Sequence, residues 1–128
     1  MRSLVILAPM LIGASALTAQ APPPAPVITV ELSSFDYDPE AIRLRADQEV
    51  TLRLVNRSSG GHNFAAPAFF TAARIAAGDA AEIRNGAVEV PPRATVSIRL
   101  RPARGQYRLR CTHRFHTTLG MRGRIIVE

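Results

Sequence analysis

In four stretches of this chain apolar side chains recur at every second position, a period that fits short, half-buried strands better than any other element. Ala41–Ile42–Arg43–Leu44–Arg45, Val50–Thr51–Leu52–Arg53–Leu54–Val55, Thr95–Val96–Ser97–Ile98–Arg99–Leu100 and Gln106–Tyr107–Arg108–Leu109–Arg110–Cys111 all alternate. Val27–Ile28–Thr29–Val30–Glu31–Leu32 is β-branched, and Gly123–Arg124–Ile125–Ile126–Val127 closes the chain. Phe35–Asp36–Tyr37–Asp38–Pro39 sets aromatic against acidic residues and then turns, while Asn56–Arg57–Ser58–Ser59–Gly60–Gly61 has a loop's composition. Seven or eight short strands with turns between them predict an all-β chain, a small antiparallel sandwich. One helix is expected from Pro67 to Ala77, with proline in its first turn, alanines within and Gly78 just past its end. No internal repeat is present.

With 128 residues the chain has room for one domain. Met1–Arg2 precedes the apolar run Leu4 to Ile12, which is too short for the about 20 residues that cross a bilayer. Ala14–Ser15–Ala16 then has the small-x-small form of a signal peptidase site; Ala19–Gln20–Ala21 is a weaker second candidate because Pro22 follows it. Residues 1–16 therefore read as a signal peptide, 17–26 as a proline-rich spacer and 27–128 as the folded domain, periplasmic or secreted.

There is one cysteine, so neither an internal disulfide framework nor a four-cysteine zinc site can form. An unpaired thiol in an oxidising compartment is a liability, and a bound metal protects it by occupying the thiolate. Cys111-x4-His116-x4-Met121 lies between two predicted strands, and His62 follows the Gly60–Gly61 turn far upstream. Two imidazoles, a thiolate and a thioether form the His2Cys set with weak axial Met expected of an electron-transfer copper site. Each residue also has a plain reading: Cys111 as a buried thiol, His62 as a loop residue. His113, two residues beyond Cys111, stays open as an extra ligand, a hydrogen-bonding neighbour or a solvated loop residue.

On these residues the chain resembles the cupredoxins, the blue-copper family, over about Val27 to Glu128. Gly61–His62–Asn63–Phe64 is similar to the azurin segment carrying the first histidine ligand. Cys111-x4-His116 has the azurin spacing, and His116-x4-Met121 is similar to the plastocyanin ending, in a loop a residue or two longer than theirs. The resemblance implies a Greek-key β-sandwich and one type 1 copper held by His62, Cys111, His116 and Met121. It also implies that Asn63 steadies the loop near the sulfur and that the Gly61 carbonyl approaches the copper from the far side.

The formal charge of +6, carried by arginine alone, invites a nucleic-acid reading, but no stacking platform or basic recognition helix supports one. Most arginines alternate with apolar residues, as a solvated sheet face does. Arg114 and Arg122 flank the proposed ligands, and an apolar collar of Phe64, Phe115 and Leu119 around His116 would suit transient docking. The expected function is one-electron transfer between redox protein partners by a monomeric non-enzyme, without nucleic acid or stable membrane insertion. A copper carrier or resistance protein is the alternative, and a catalytic copper site with His113 bound is a third reading.

Overall fold

Alternation decides which side of each strand turns inward, and here it turns two sheets toward each other. A computed structural model describes residues 9–116 and 118–128, and its strands number eleven among the described residues. The first sheet runs β2 (Asp36–Asp38), β1 (Val27–Ser33), β4 (Val50–Asn56), β9 (Thr95–Arg101), β6 (Arg74–Ile75). The second runs β3 (Ala41–Leu44), β11 (Arg122–Val127), β10 (Gly105–Arg110), β5 (His62–Ala65), β8 (Ala87–Val90), β7 (Ile83–Arg84). Val30, Leu32, Leu52, Leu54, Ile98 and Leu100 from the first sheet share one buried core with Ile42, Phe64, Val88, Leu109 and Ile125 from the second. Register fixes that sharing: Leu52 lies opposite Ile98, and Val50 opposite Leu100. A slip of one residue would put those side chains into water.

The expected all-β sandwich is present, with differences of detail that have physical causes. Two strand pairs are parallel, β1 with β4 and β3 with β11, so the sandwich is mixed. Parallel neighbours need a crossover, and the chain supplies one by passing through the opposite sheet between them. The additional strands are short ones that the alternation was too brief to signal, such as β6 and β7.

The helix is also shorter than its alanine content predicts. α1 covers Pro67–Ala72 and buries Phe69 and Phe70. Ala73 is already extended, and Arg74–Ile75 pairs with Arg101 and Leu100 on β9. Helix propensity is a weak preference; here a strand edge and the partly buried Ile75 overrule it. Gly78 therefore does not end the helix.

Before Val27 the described residues form no helix or strand, and Met10, Leu11, Ile12 and Leu17 are 92–99% exposed. Most of the expected signal peptide, residues 1–8, lies outside the described residues. Among the described residues no helix is long and apolar enough to cross a membrane.

At Gly123 on β11 the second sheet leaves no room for a side chain. A Cβ there would sit 2.6 Å from the Glu40 carbonyl oxygen and 3.3 Å from Leu109 Cδ2. Backbone cannot yield as a flexible side chain can, so Gly123→Ala is expected to cost about 1–3 kcal/mol. Urea unfolding with an unchanged m-value checks it; an unaltered midpoint would show that β3 and β11 separate freely.

Candidate metal centre

The loop between β10 and β11 is closed by its own backbone. Cys111 N–H donates to Met121 O (3.1 Å), Met121 N–H to His116 O (2.9 Å) and His116 N–H to His113 O (3.1 Å). These bonds hold Cys111, His116 and Met121 close together irrespective of their side chains. His62 comes from another direction, as the first residue of β5, aligned by its pairing with Val90 on β8.

Among the described residues, His62, Cys111 and His116 present donor atoms that all lie within 4.8 Å of one another. The Nδ1 atoms of His62 and His116 are 3.2 Å apart, and Cys111 Sγ is 3.3 Å from His116 Nδ1. Three ligands about 2 Å from a central ion would have edges of about 3.5 Å, so the donors fit a trigonal site. Cys111 and Met121 are fully buried, His62 is 3% exposed, and His116 is only half-buried.

Hydrogen bonding fixes the state of His62. The Asn56 side-chain amide donates from Nδ2 to the carbonyls of Gly60, Val90 and Pro91, so its Oδ1 must accept. Ser58 N–H and Ser58 Oγ both donate to that oxygen. The hydroxyl proton is thereby committed to Asn56 Oδ1 or to the Gly60 carbonyl, both acceptors. Ser58 Oγ can then only accept from His62 Nε2, 2.9 Å away, which leaves a lone pair on Nδ1, the atom facing His116. A ligating histidine usually has its other ring nitrogen held in this way.

The sulfur is held from β5. Asn63 N–H donates to Cys111 Sγ at 3.5 Å. The Asn63 side chain ties the loop down by accepting from Thr112 N–H at 2.9 Å and donating to Thr112 Oγ1 at 2.6 Å. Its Nδ2 also donates to Glu89 Oε1 at 2.8 Å. Tyr37, whose hydroxyl is kept protonated by burial and by the nearby Cys111, donates to the Asn63 carbonyl at 2.6 Å.

Burial pushes the Cys111 thiol up, against the Asn63 and His113 backbone N–H groups that favour thiolate. Burial, then the charges of His116 and His113, hold His62 below its ordinary value, so it stays neutral and able to ligate at lower pH than a free imidazole.

His113 lies outside the donor set. Its Nε2 pairs with Glu89 Oε2 at 2.8 Å, and its ring stacks on His116 with centroids 5.5 Å apart. Gly61 borders it: a Cβ there would be 3.4 Å from His113 Cε1. Phe115 and Leu119 are 63% and 59% exposed, and Arg114 lies over the Phe115 ring. Arg122 is exposed at the start of β11. Phe64 does not belong to an exposed collar, because it is 0% exposed, facing Tyr37 and Phe70 in the core. Phe35 takes the rim place expected of Phe64, its ring perpendicular to that of His116 with centroids 5.0 Å apart and its surface 38% exposed.

Sequence reasoning also missed Asn56, Ser58, Glu89 and Tyr37. Ser58 had a weak signal, an Asn-x-Ser loop four residues before a candidate ligand. Glu89 had none, since only the register Asn63↔Glu89 brings it to the site.

Comparison with known proteins bears on the family and the fold. The cupredoxin-like domain family matches residues 3–127. No curated protein sequence matches the chain. Auracyanin B is similar in structure, with TM-score 0.61 and 20% identity over 85% of this chain and 93% of that one. Auracyanin A, a "blue" copper protein from the green thermophilic photosynthetic bacterium Chloroflexus aurantiacus, gives 0.53 and 23% over 80% and 99%. The McoA multicopper oxidase from the hyperthermophile Aquifex aeolicus gives 0.62 and 17%, covering 89% of this chain and 32% of the oxidase.

Ser58→Ala releases the His62 tautomer and is expected to weaken copper binding about 10–100-fold, measured by competition with a chelator of known affinity. Ser58→Thr, which keeps the hydroxyl, should restore it. Wild-type affinity in Ser58→Ala would show that His62 is oriented by packing alone.

Proposed function

The chain belongs to the cupredoxin-like family and its cofactor is copper, and from that premise we propose that it carries single electrons between larger redox proteins. The observation that carries this reading is the buried convergence of His62, Cys111 and His116 in a hydrogen-bonded frame. His62 Nδ1, His116 Nδ1 and Cys111 Sγ would hold the copper, with the Met121 thioether as a weak further donor and the Gly61 carbonyl as a neighbour of the site. Copper supplies the Cu(I)/Cu(II) couple. The residues supply constancy of geometry: Ser58 keeps one imidazole in place, Asn63 keeps the sulfur, and the loop's backbone bonds hold His116 beside Met121. Little then has to move when the electron moves, which suits a carrier rather than an enzyme.

The exchange surface is the half-buried edge of His116, ringed by Phe35, Phe115 and Leu119. His113 serves as a neighbour held by Glu89 and is not a ligand in this reading. In this reading the protein is a monomer that meets its partners transiently through this rim.

The copper(II) protein should be intensely coloured by thiolate-to-copper charge transfer and give reversible voltammetry. Cys111→Ser should abolish the colour while circular dichroism stays that of a folded sandwich. Met121→Leu, nearly volume-conserving and costing less than about 1.5 kcal/mol, should keep the colour and raise the reduction potential. A colourless wild-type Cu(II) complex would sink the carrier reading.

Residues 1–16 are proposed to direct export and to be removed, a reading supported by the exposure of Met10, Leu11 and Ile12 away from the core. The exported protein should begin at Leu17 on N-terminal sequencing; a mature protein that retains Met1 would refute it.

A further inference from the structure

Elsewhere in the molecule four arginines pair with carboxylates, Arg43 with Glu128, Arg57 with Glu31, Arg99 with Asp79 and Arg101 with Glu49, and others, such as Arg45, Arg53 and Arg74, stand apart from one another on the surface. The β10–β11 hairpin is different in that its arginines face one another. Its register sets Arg108 opposite Arg124 and Arg110 opposite Arg122. Residues opposed across a ladder share a face, as do residues two apart, so all four arginines stand together on the outer side of the second sheet. All four are exposed. Among the described residues, no carboxylate lies within 4.0 Å of Arg108, Arg110 or Arg124.

Like charges directly opposed weaken a sheet, so this two-by-two array does not serve folding. Arg108, Arg110 and Arg122 also border a depression that Ala65, Pro67 and Gly123 complete. The array is the size of a few carboxylates, with strands about 4.8 Å apart and same-face residues about 7 Å apart along each. It carries neither the exposed aromatic that would stack on a nucleic-acid base nor an exposed apolar anchor for a lipid surface, since Ile126 on the same face is buried. Its position matters as much as its charge. Arg110 is bonded to Cys111 and Arg122 to Met121, so a partner seated here lies one residue from two of the proposed copper ligands.

We propose that the four-arginine face of β10–β11 docks an acidic protein surface, that of a redox partner presenting clustered carboxylates, alongside the apolar rim of His116. This rests on the electron-carrier reading. Opposite charge would speed and orient the encounter, and the effect would fall with salt.

The test uses the mature copper protein on gold films bearing carboxylate-terminated or hydroxyl-terminated monolayers, with adsorption read by surface plasmon resonance and electron exchange by voltammetry. R108Q/R110Q/R124Q should lose affinity for the carboxylate film by about tenfold or more at low ionic strength, with unchanged adsorption on the hydroxyl film. R45Q/R53Q/R74Q, the same charge change on exposed arginines elsewhere, should lose no more than about twofold. Equal losses in the two triples would overturn the proposal, because net charge alone would explain them. Tighter, patch-dependent binding to phosphatidylglycerol vesicles than to the carboxylate film would overturn it too, by assigning the face to a membrane surface. If the first triple misfolds, R108Q and R110Q singly should each show part of the loss, and no loss in either would contradict the proposal. Adsorption does not depend on copper: patch-dependent adsorption without any voltammetric wave would support the docking face and refute the carrier reading alone.

Discussion

Three donor atoms brought to one point need a frame, and the rest of this site is arranged to hold them there. His62 Nδ1 and His116 Nδ1 lie 3.2 Å apart, with the Cys111 sulfur 3.3 Å from the second of them. No single element could impose that arrangement. β5 brings His62 and Asn63, β10 brings Cys111, and the loop's backbone hydrogen bonds bring His116 and Met121. Beyond them, Asn56 commits the hydroxyl proton of Ser58, and Ser58 in turn commits the His62 ring. The frame is thus two hydrogen bonds deep on one side of the site. On the sulfur side Tyr37, Asn63, Glu89 and Thr112 make a comparable network. Buried polar networks of this kind are stable when every member is satisfied, and among the described residues no buried side-chain nitrogen or oxygen lacks a partner.

Such a frame answers a chemical requirement. A site that passes electrons quickly has to suit both oxidation states of the metal without moving. The neutral imidazole at His62 and the buried Met121 are prepared before a metal arrives, whereas the Cys111 thiol, pushed up by burial, has to release its proton to bind one. His116 is the exception in burial, and its exposure gives the site contact with the outside. Core strands supply rigidity, and the loop supplies access.

What the sequence made legible follows from the range of each signal. Alternation over five or six residues located β3, β4, β9 and β10 to within a residue or two, because half-burial of a strand writes itself into consecutive positions, and β-branched content located β1. The two-residue strands β6 and β7 are too short to leave a period. α1 ends early because Arg74 and Ile75 pair with β9, a contact that alanine content cannot report. Cys111, His116 and Met121 stood out because their spacing lies within one loop. Ser58 and Glu89 matter through long-range register and proton direction, which no local pattern carries. Phe64 was misread for the same reason: two residues from His62 and on the same side of β5, it lies one step further into the core, where Tyr37 and Phe70 cover it.

The central claim is that these residues hold copper in one geometry through both oxidation states. X-ray absorption at the copper edge, on the mature protein oxidised and then reduced, tests it most directly. The account predicts two nitrogen donors and one short sulfur in both forms, with the coordination number unchanged. A shell that gains or loses a nitrogen on reduction, or that lacks the short sulfur, would contradict it.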